Sequence, residues 1–210
     1  MNPNVCKLYL VSHSDGMEEN LFLQKLDSAL QSGVTLLQLR EKEKSGREFY
    51  QLAHRVHALA QAHGVPLIIN DRIDIALAVD AEGVHIGQSD LPVREGRRLL
   101  GPDKIVGATA KTLTQALAAQ QEGADYLGVG AIYPTTTKVQ TTLTSVDTLR
   151  EICQHVRIPV NAIGGLQATN LSVLQGSGIA GVCVVSYIMQ AVDPAAAVQR
   201  MCAAIQPILV

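Results

Sequence analysis

The stretch that decides the fold runs from residue 35 to residue 70. It reads Thr35-Leu-Leu-Gln-Leu39, a polar loop, a helical segment Glu48–His63, Gly64, and then Leu67-Ile-Ile-Asn70. The two outer runs are short and apolar on both faces, the pattern of parallel strands covered by helices. Between them Phe49, Leu52, Ala53, Val56, Leu59 and Ala60 recur on one helical face. Gly64 stands where that helix has to stop before the next strand. The segment is one strand-helix-strand unit.

Working outward, the same unit recurs in both directions. The candidate strands are Lys7–Val11, Thr35–Leu39, Leu67–Asn70, Gly83–Ile86, Lys104–Ala108, Tyr126–Val129, Val160–Ile163 and Gly181–Val185. Val146, Leu149, Ile152, Cys153 and Val156 repeat the helical period late in the chain. Thr112 and Gln115 have the spacing of a capping box, and Asp193-Pro194 reads as an N-cap followed by proline at the first helical position. Gly33, Gly101, Gly123 and Gly176 mark further helix ends. Eight such units in 210 residues predict an α/β fold, a single compact (β/α)8 TIM barrel spanning residues 1–210 as one domain. A doubly wound open sheet competes, but it would need a nucleotide loop after the first strand, and the chain has neither GxGxxG there nor a Walker motif.

Composition narrows the function classes. Hydrophobic residues make up 47% and charged residues 17% of the chain, too apolar for a disordered protein. A net charge of -2 gives no electrostatic reason to expect nucleic acid or an anionic membrane as partner. Any anionic ligand must therefore be met by locally placed Lys, Arg and backbone N–H groups. The four cysteines are scattered without a CxxC pair or metal-ligand spacing, which predicts a reduced, cytoplasmic protein. No signal peptide is expected, and no apolar run approaches the roughly 20 residues that span a bilayer.

A barrel demands that its functional residues cluster where strands end. The second strand ends in Gln38-Leu-Arg40-Glu-Lys42, and alternation puts Gln38, Arg40 and Lys42 on one side at the barrel mouth. Arg and Lys suit phosphate, and Gln can read a heterocycle edge. The neighbouring Glu43 and Lys44 read as a solvated charge run. The third strand ends in Asn70-Asp71-Arg72 and the fourth leads to Asp90, so two carboxylates follow adjacent strands within reach of one Mg²⁺. The bland alternative pairs Asp71 with Arg72 and makes Asp90 a helix cap. His85 reads first as a hydrogen-bonded core histidine and second as a catalytic base. After the sixth strand, Pro134-Thr-Thr-Thr-Lys138 reads as an anion-binding loop, against a solvated turn. Ala162-Ile-Gly-Gly165 and Val184-Val-Ser186 end the last two strands, where barrels of this kind bind phosphate.

Taken together and in order, LYLVS (8–12), GVTLLQLREKE (33–43), LIINDRIDIALAV (67–79), GVHIGQSDLP (83–92), GADYLGVGAIYPTTTK (123–138), IPVNAIGG (158–165) and GVCVVS (181–186) resemble the thiamine phosphate synthase family across nearly the whole chain. The resemblance implies a Mg²⁺-dependent transferase. It would join 4-amino-2-methyl-5-hydroxymethylpyrimidine pyrophosphate to a thiazole phosphate and release pyrophosphate. On that resemblance Gln38 contacts the pyrimidine, Arg40, Lys42, Asn70 and Lys138 hold the pyrophosphate, and Asp71 and Asp90 hold Mg²⁺. Thr135 and Thr137, with backbone donors near Gly165, Val185 and Ser186, hold the thiazole phosphate. Thr109 stands where the family has Ser, Lys111 where His is common, Ala131 where Pro is usual, and Asn161 where an apolar residue is usual. A thiazole tautomerase, a phosphosugar isomerase or a non-catalytic precursor-binding barrel are the rival readings. The partners implied are small molecules, and the sequence leaves monomer and homodimer both open.

Overall fold

The computed structural model describes residues 1–135 and 142–209. Eight parallel strands close in sequence order into a barrel. They are β1 (Leu8–Ser12), β2 (Leu36–Leu39), β3 (Leu67–Asn70), β4 (Gly83–Ile86), β5 (Ile105–Ala110), β6 (Tyr126–Gly130), β7 (Val160–Ile163) and β8 (Gly181–Val184). The helices around them are α1 (Glu19–Gln31), α2 (Gly46–Ala62), α3 (Ile73–Ala78), α4 (Val93–Leu100), α5 (Leu113–Gln121), α6 (Val146–His155), α7 (Ser186–Met189) and α8 (Pro194–Ile205). Among the described residues, none of the helices is long and apolar enough to cross a membrane.

Strand parity divides the apolar residues into two cores. Leu10, Leu37, Leu39, Ile69, Val84 and Val106 point outward and pack under the helices, against Phe22, Leu26, Phe49 and Leu52. The opposite parity forms a smaller cluster inside the barrel around Tyr9, Leu36, Ile68, Tyr126 and Cys183. The register keeps this parity around the ring: Asn70 lies beside His85, His85 beside Gly107, and Gly107 beside Tyr126. Gly107 is there for room, because a Cβ at that position would run into the Tyr126 ring. Polar groups that alternation sends inward therefore share one enclosed space.

Local signals act largely as the sequence suggests, with three differences. Gly64, Gly101 and Gly123 all take positive φ just past their helices, and Asp193 accepts from the Ala196 N–H at 3.0 Å with Pro194 at N1. First, Thr112 caps α5 by accepting from Gln115 N, but the Gln115 side chain reaches the N–H of Lys111, one residue before the cap, so the box is not closed. The reciprocal box is instead Ser45 with Glu48 at the start of α2. Second, β7 and β8 are joined through a one-turn 3-10 helix, Leu171–Leu174, in place of an amphipathic α-helix. The buried residues there, Leu171 and Leu174, are too few for more than one buried turn, and Val173 between them is exposed. Third, β5 runs on through Ala110, which carries Thr109 inside a strand rather than into a loop.

Candidate active site

The C-terminal ends of the strands open into a cavity of about 230 Å³. Gln38 and Arg40 enter it from the end of β2, Asn70 from the end of β3 and Thr109 from β5. Gly165 contributes from the loop after β7, Val185 and Ser186 from the turn after β8, and Thr135 from the segment after β6. Gln38 is only 3% exposed, so its amide must find partners inside the protein. Alternation along β2 continues past the strand: Glu41, between Arg40 and Lys42, turns away from the cavity and accepts from the Ser14 N–H at 2.8 Å.

Lys42, Asp71 and Asp90 sit together on the rim rather than in the cavity wall. The Lys42 ammonium pairs with the Asp71 carboxylate. Asp71 takes φ of 60°, the left-handed region, while its N–H donates to the His85 carbonyl at 2.9 Å. That bond ties the turn after β3 to β4 and brings Asp71 against Asp90. Burial, a hydrogen bond to Asp71 and repulsion from it together push the Asp90 carboxyl above the usual carboxylate range. Asp90 does not cap α4, whose N-cap is Pro92 with no side-chain bond; its carboxylate accepts from the Gly87 N–H at 2.9 Å instead. Arg72, the other bland partner, pairs with Asp74. Two crowded carboxylates are the donor set that Mg²⁺ takes from proteins when substrate oxygens complete its shell. Among the described residues there is no cluster of three or more His, Cys, Asp or Glu suited to a metal held by protein alone.

The opposite wall is built from backbone. Gly164 and Gly165 have φ of 102° and 64°. A Cβ on Gly165 would lie 2.7 Å from both the Pro134 carbonyl oxygen and the Tyr133 Cβ, so this turn is restricted to glycine. Tyr133 N–H donates to the Gly164 carbonyl at 3.0 Å, lacing the β6 loop to the β7 loop. After β8 the chain turns at Val185 into α7, and the first N–H groups of such a turn have no partner within the helix. Thr137 and Lys138 lie outside the described residues.

Inside the cavity floor is a feature that the sequence reading passed over. Gln38 donates its amide N–H to the Tyr9 hydroxyl. The Tyr9 and Tyr126 hydroxyl oxygens are 2.6 Å apart, and Tyr126 Oη lies 3.0 Å from His85 Nδ1. His85 Nε2 lies 2.9 Å from Thr109 Oγ1. Burial drives the His85 imidazole down to about 4, and drives both phenols well above their ordinary value. His85 is thus hydrogen-bonded, as expected, but it lines the cavity. The available signal was two tyrosines with inward parity in apolar strands, each with a hydroxyl that burial obliges to find a partner.

Three of the departures from the family pattern, Thr109, Lys111 and Ala131, line the cavity. Lys111 Nζ donates to the Thr142 carbonyl at 3.2 Å. Asn161 does not line it: the side chain is wholly buried within the barrel and donates to the Cys6 carbonyl at 2.6 Å.

The family model described as thiamine monophosphate synthase matches residues 8–188. A protein named thiamine-phosphate synthase 2 from Streptococcus pneumoniae is 53% identical over 195 residues, covering 92% of each chain. Thiamine-phosphate synthase from Lacticaseibacillus paracasei is 50% identical, covering 96% of this chain and 94% of its own. The thiamine phosphate pyrophosphorylase structure from Pyrococcus furiosus superposes with a TM-score of 0.87 at 32% identity, covering 99% of both chains. A 3-hexulose-6-phosphate synthase structure, at 17% identity and a TM-score of 0.67, shares the fold alone. With a barrel, a strand-end cavity and relatives of this closeness over nearly its whole length, the chain belongs to the thiamine monophosphate synthase family.

Proposed function

We propose that this transferase condenses 4-amino-2-methyl-5-hydroxymethylpyrimidine pyrophosphate with a thiazole phosphate, giving thiamine phosphate and pyrophosphate. The observation that carries the reading is one cavity with two unlike ends. A rim of Lys42, Asp71 and Asp90 beside Arg40 and Asn70 suits a pyrophosphate, and a glycine-backed wall at Gly165, Val185 and Ser186 suits a phosphate monoester.

In this reading the C–O bond between the pyrimidine methylene carbon and pyrophosphate breaks, and its electron pair leaves with the pyrophosphate. The methylene cation is delocalised into the aminopyrimidine ring. The thiazole nitrogen lone pair then forms the C–N bond, leaving the positive charge on the thiazolium. The protein needs no nucleophile of its own. Its contribution is to neutralise the leaving group, exclude water and align the two rings. Arg40 grips pyrophosphate oxygens through its planar fork, and Lys42 and Lys138 add point charges. Asn70 and Thr109 add polar contacts, and Thr135 and Thr137 meet the thiazole phosphate. Mg²⁺ held by Asp71 and Asp90 would supply the remaining positive charge on the leaving group. A cytoplasmic enzyme acting on small molecules, without nucleic acid or membrane as partner, goes with this reading.

The isomerase alternative needs a proton-transfer residue in the cavity. His85, the histidine placed there, has both ring nitrogens engaged by Tyr126 and Thr109 and is held neutral. That disfavours it. The test is pyrophosphate release by the purified protein with both substrates, with Mg²⁺ and with EDTA. Release that needs both substrates and Mg²⁺, matched by thiamine phosphate, is expected. Folded protein giving no product would overturn the reading.

A further inference from the structure

We infer that Tyr9, Tyr126 and His85 are positioning residues: a hydrogen-bond chain from Gln38 to Thr109 that sets which way both ends address the substrate ring. The inference rests on the proposed reaction for the identity of that ring. The chain itself is read from the structure.

The proton count along the line fixes its direction. Every link is neutral near pH 7: phenols keep their proton there, and the two His85 ring nitrogens face the Tyr126 and Thr109 hydroxyls rather than a carboxylate that would hold a second proton. A run of neutral hydroxyls and one neutral imidazole has one proton to give at each link, so the whole chain points one way or the other. Gln38 Nε2 can only donate. Tyr9 accepts that bond and gives its proton to Tyr126, which gives its own to His85 Nδ1. The remaining imidazole proton then sits on Nε2 and is donated to Thr109 Oγ1. The Thr109 hydroxyl proton is left for the cavity, and the Gln38 carbonyl oxygen is left as an acceptor. Reversing the Gln38 amide would reverse every proton along the line.

The cavity therefore offers an acceptor on the β2 side and a donor on the β5 side, both set by groups beneath it. A 4-aminopyrimidine carries the complement, an amino donor and ring-nitrogen acceptors. A 4-oxo analogue presents an acceptor where the amino donor stood, and would meet the Gln38 oxygen. The barrel is shaped around the line: Gly107 makes room for the Tyr126 ring, and the two tyrosine rings meet edge-on with centroids 5.6 Å apart.

The experiment uses the full chain with ¹⁵N-labelled histidine, His85 being assigned by its loss in His85→Gln. In the wild type at pH 7, the spectrum should show Nδ1 unprotonated and Nε2 protonated. In Tyr126→Phe, which keeps ring volume, that fixed tautomer should be lost. The kcat/KM for the pyrimidine pyrophosphate should fall about tenfold, the worth of a neutral hydrogen bond, with KM for thiazole phosphate unchanged. Discrimination against the 4-oxo pyrimidine should narrow by a similar factor. Tyr9→Phe cuts the same line one link earlier and should behave alike, so that one misfolded variant does not decide the matter. A wild-type His85 protonated on Nδ1 would overturn the inference, as would lowered stability in folded Phe variants with the tautomer and the substrate discrimination intact. Absence of turnover in the wild type would fail the reaction assignment alone, since the tautomer is read without substrate.

Discussion

His85 on β4 and Thr109 on β5 meet through Nε2 and Oγ1 at 2.9 Å, a bond between adjoining strands that, in the inferred chain, makes the threonine hydroxyl an acceptor from the protein and a donor to the cavity. The hydroxyl, not the methyl, is what this bond uses. Thr109→Ser should leave kcat/KM within about threefold of the parent, whereas the near-isosteric Thr109→Val should lower it by about tenfold or more. Steady-state kinetics with the pyrimidine varied will check this. Equal rates in the two variants would remove the hydroxyl from the mechanism.

The same imidazole, half-buried at the cavity floor, ties acid stability to its protonation. Its value falls from an ordinary 6.5 to about 4 in the folded chain, so between those values the unfolded state binds the extra proton. Stability from this group is complete above pH 6.5 and is lost as pH falls toward 4. The loss is at most about 3 kcal/mol, and less to the extent that water in the cavity reaches the ring. Denaturation midpoints across this window should slope less in His85→Gln than in the parent. Parallel slopes would show that His85 titrates normally.

Asp71 and Asp90 repel each other, and Asp90 is raised partly for that reason. Removing one charge should therefore help the metal-free fold while harming function. Asp90→Asn keeps an acceptor for the Gly87 N–H, so its melting temperature in EDTA should equal or exceed that of the parent. Added Mg²⁺ with pyrophosphate should stabilise the parent and not the variant. Turnover of Asp71→Ala should fall by at least two orders of magnitude with the fold intact, consistent with loss of leaving-group neutralisation. A variant saturated by Mg²⁺ as readily as the parent would sink the cation assignment.

Gly165 carries a backbone demand that no side chain meets. With φ of 64° and a would-be Cβ at 2.7 Å from the Pro134 carbonyl, Gly165→Ala has to displace the β6 loop. A cost of about 1–3 kcal/mol in stability is expected from strain of this kind. KM for the thiazole phosphate should rise more than KM for the pyrimidine, because the displaced wall is the phosphate side. A purely global loss, with both constants moved alike, would place the thiazole phosphate elsewhere.

By itself the sequence determined most of what depends on near neighbours, the α5 capping box and the β7–β8 connection excepted. Period and glycine punctuation specified eight strands and their order, because parity and helical spacing are local properties of the chain. Strand ends marked Gln38, Arg40, Asn70, Asp71 and Asp90, since the barrel places such positions at one mouth. What only the tertiary structure decided was which inward groups meet across the closed ring. Tyr9 and Tyr126 are 117 positions apart in the chain and touch only because the barrel closes with its particular stagger. The choice between core histidine and base at His85 also turned on closure, because partners from β5 and β6 occupy both of its nitrogens. So did the pairing of Asp71 with Asp90 across two loops, which depends on a left-handed turn at Asp71 and its bond to β4. The physical reason is the same in each case. Local pattern says which face a side chain takes, while the energy of a buried polar group is set by what the rest of the fold brings against it.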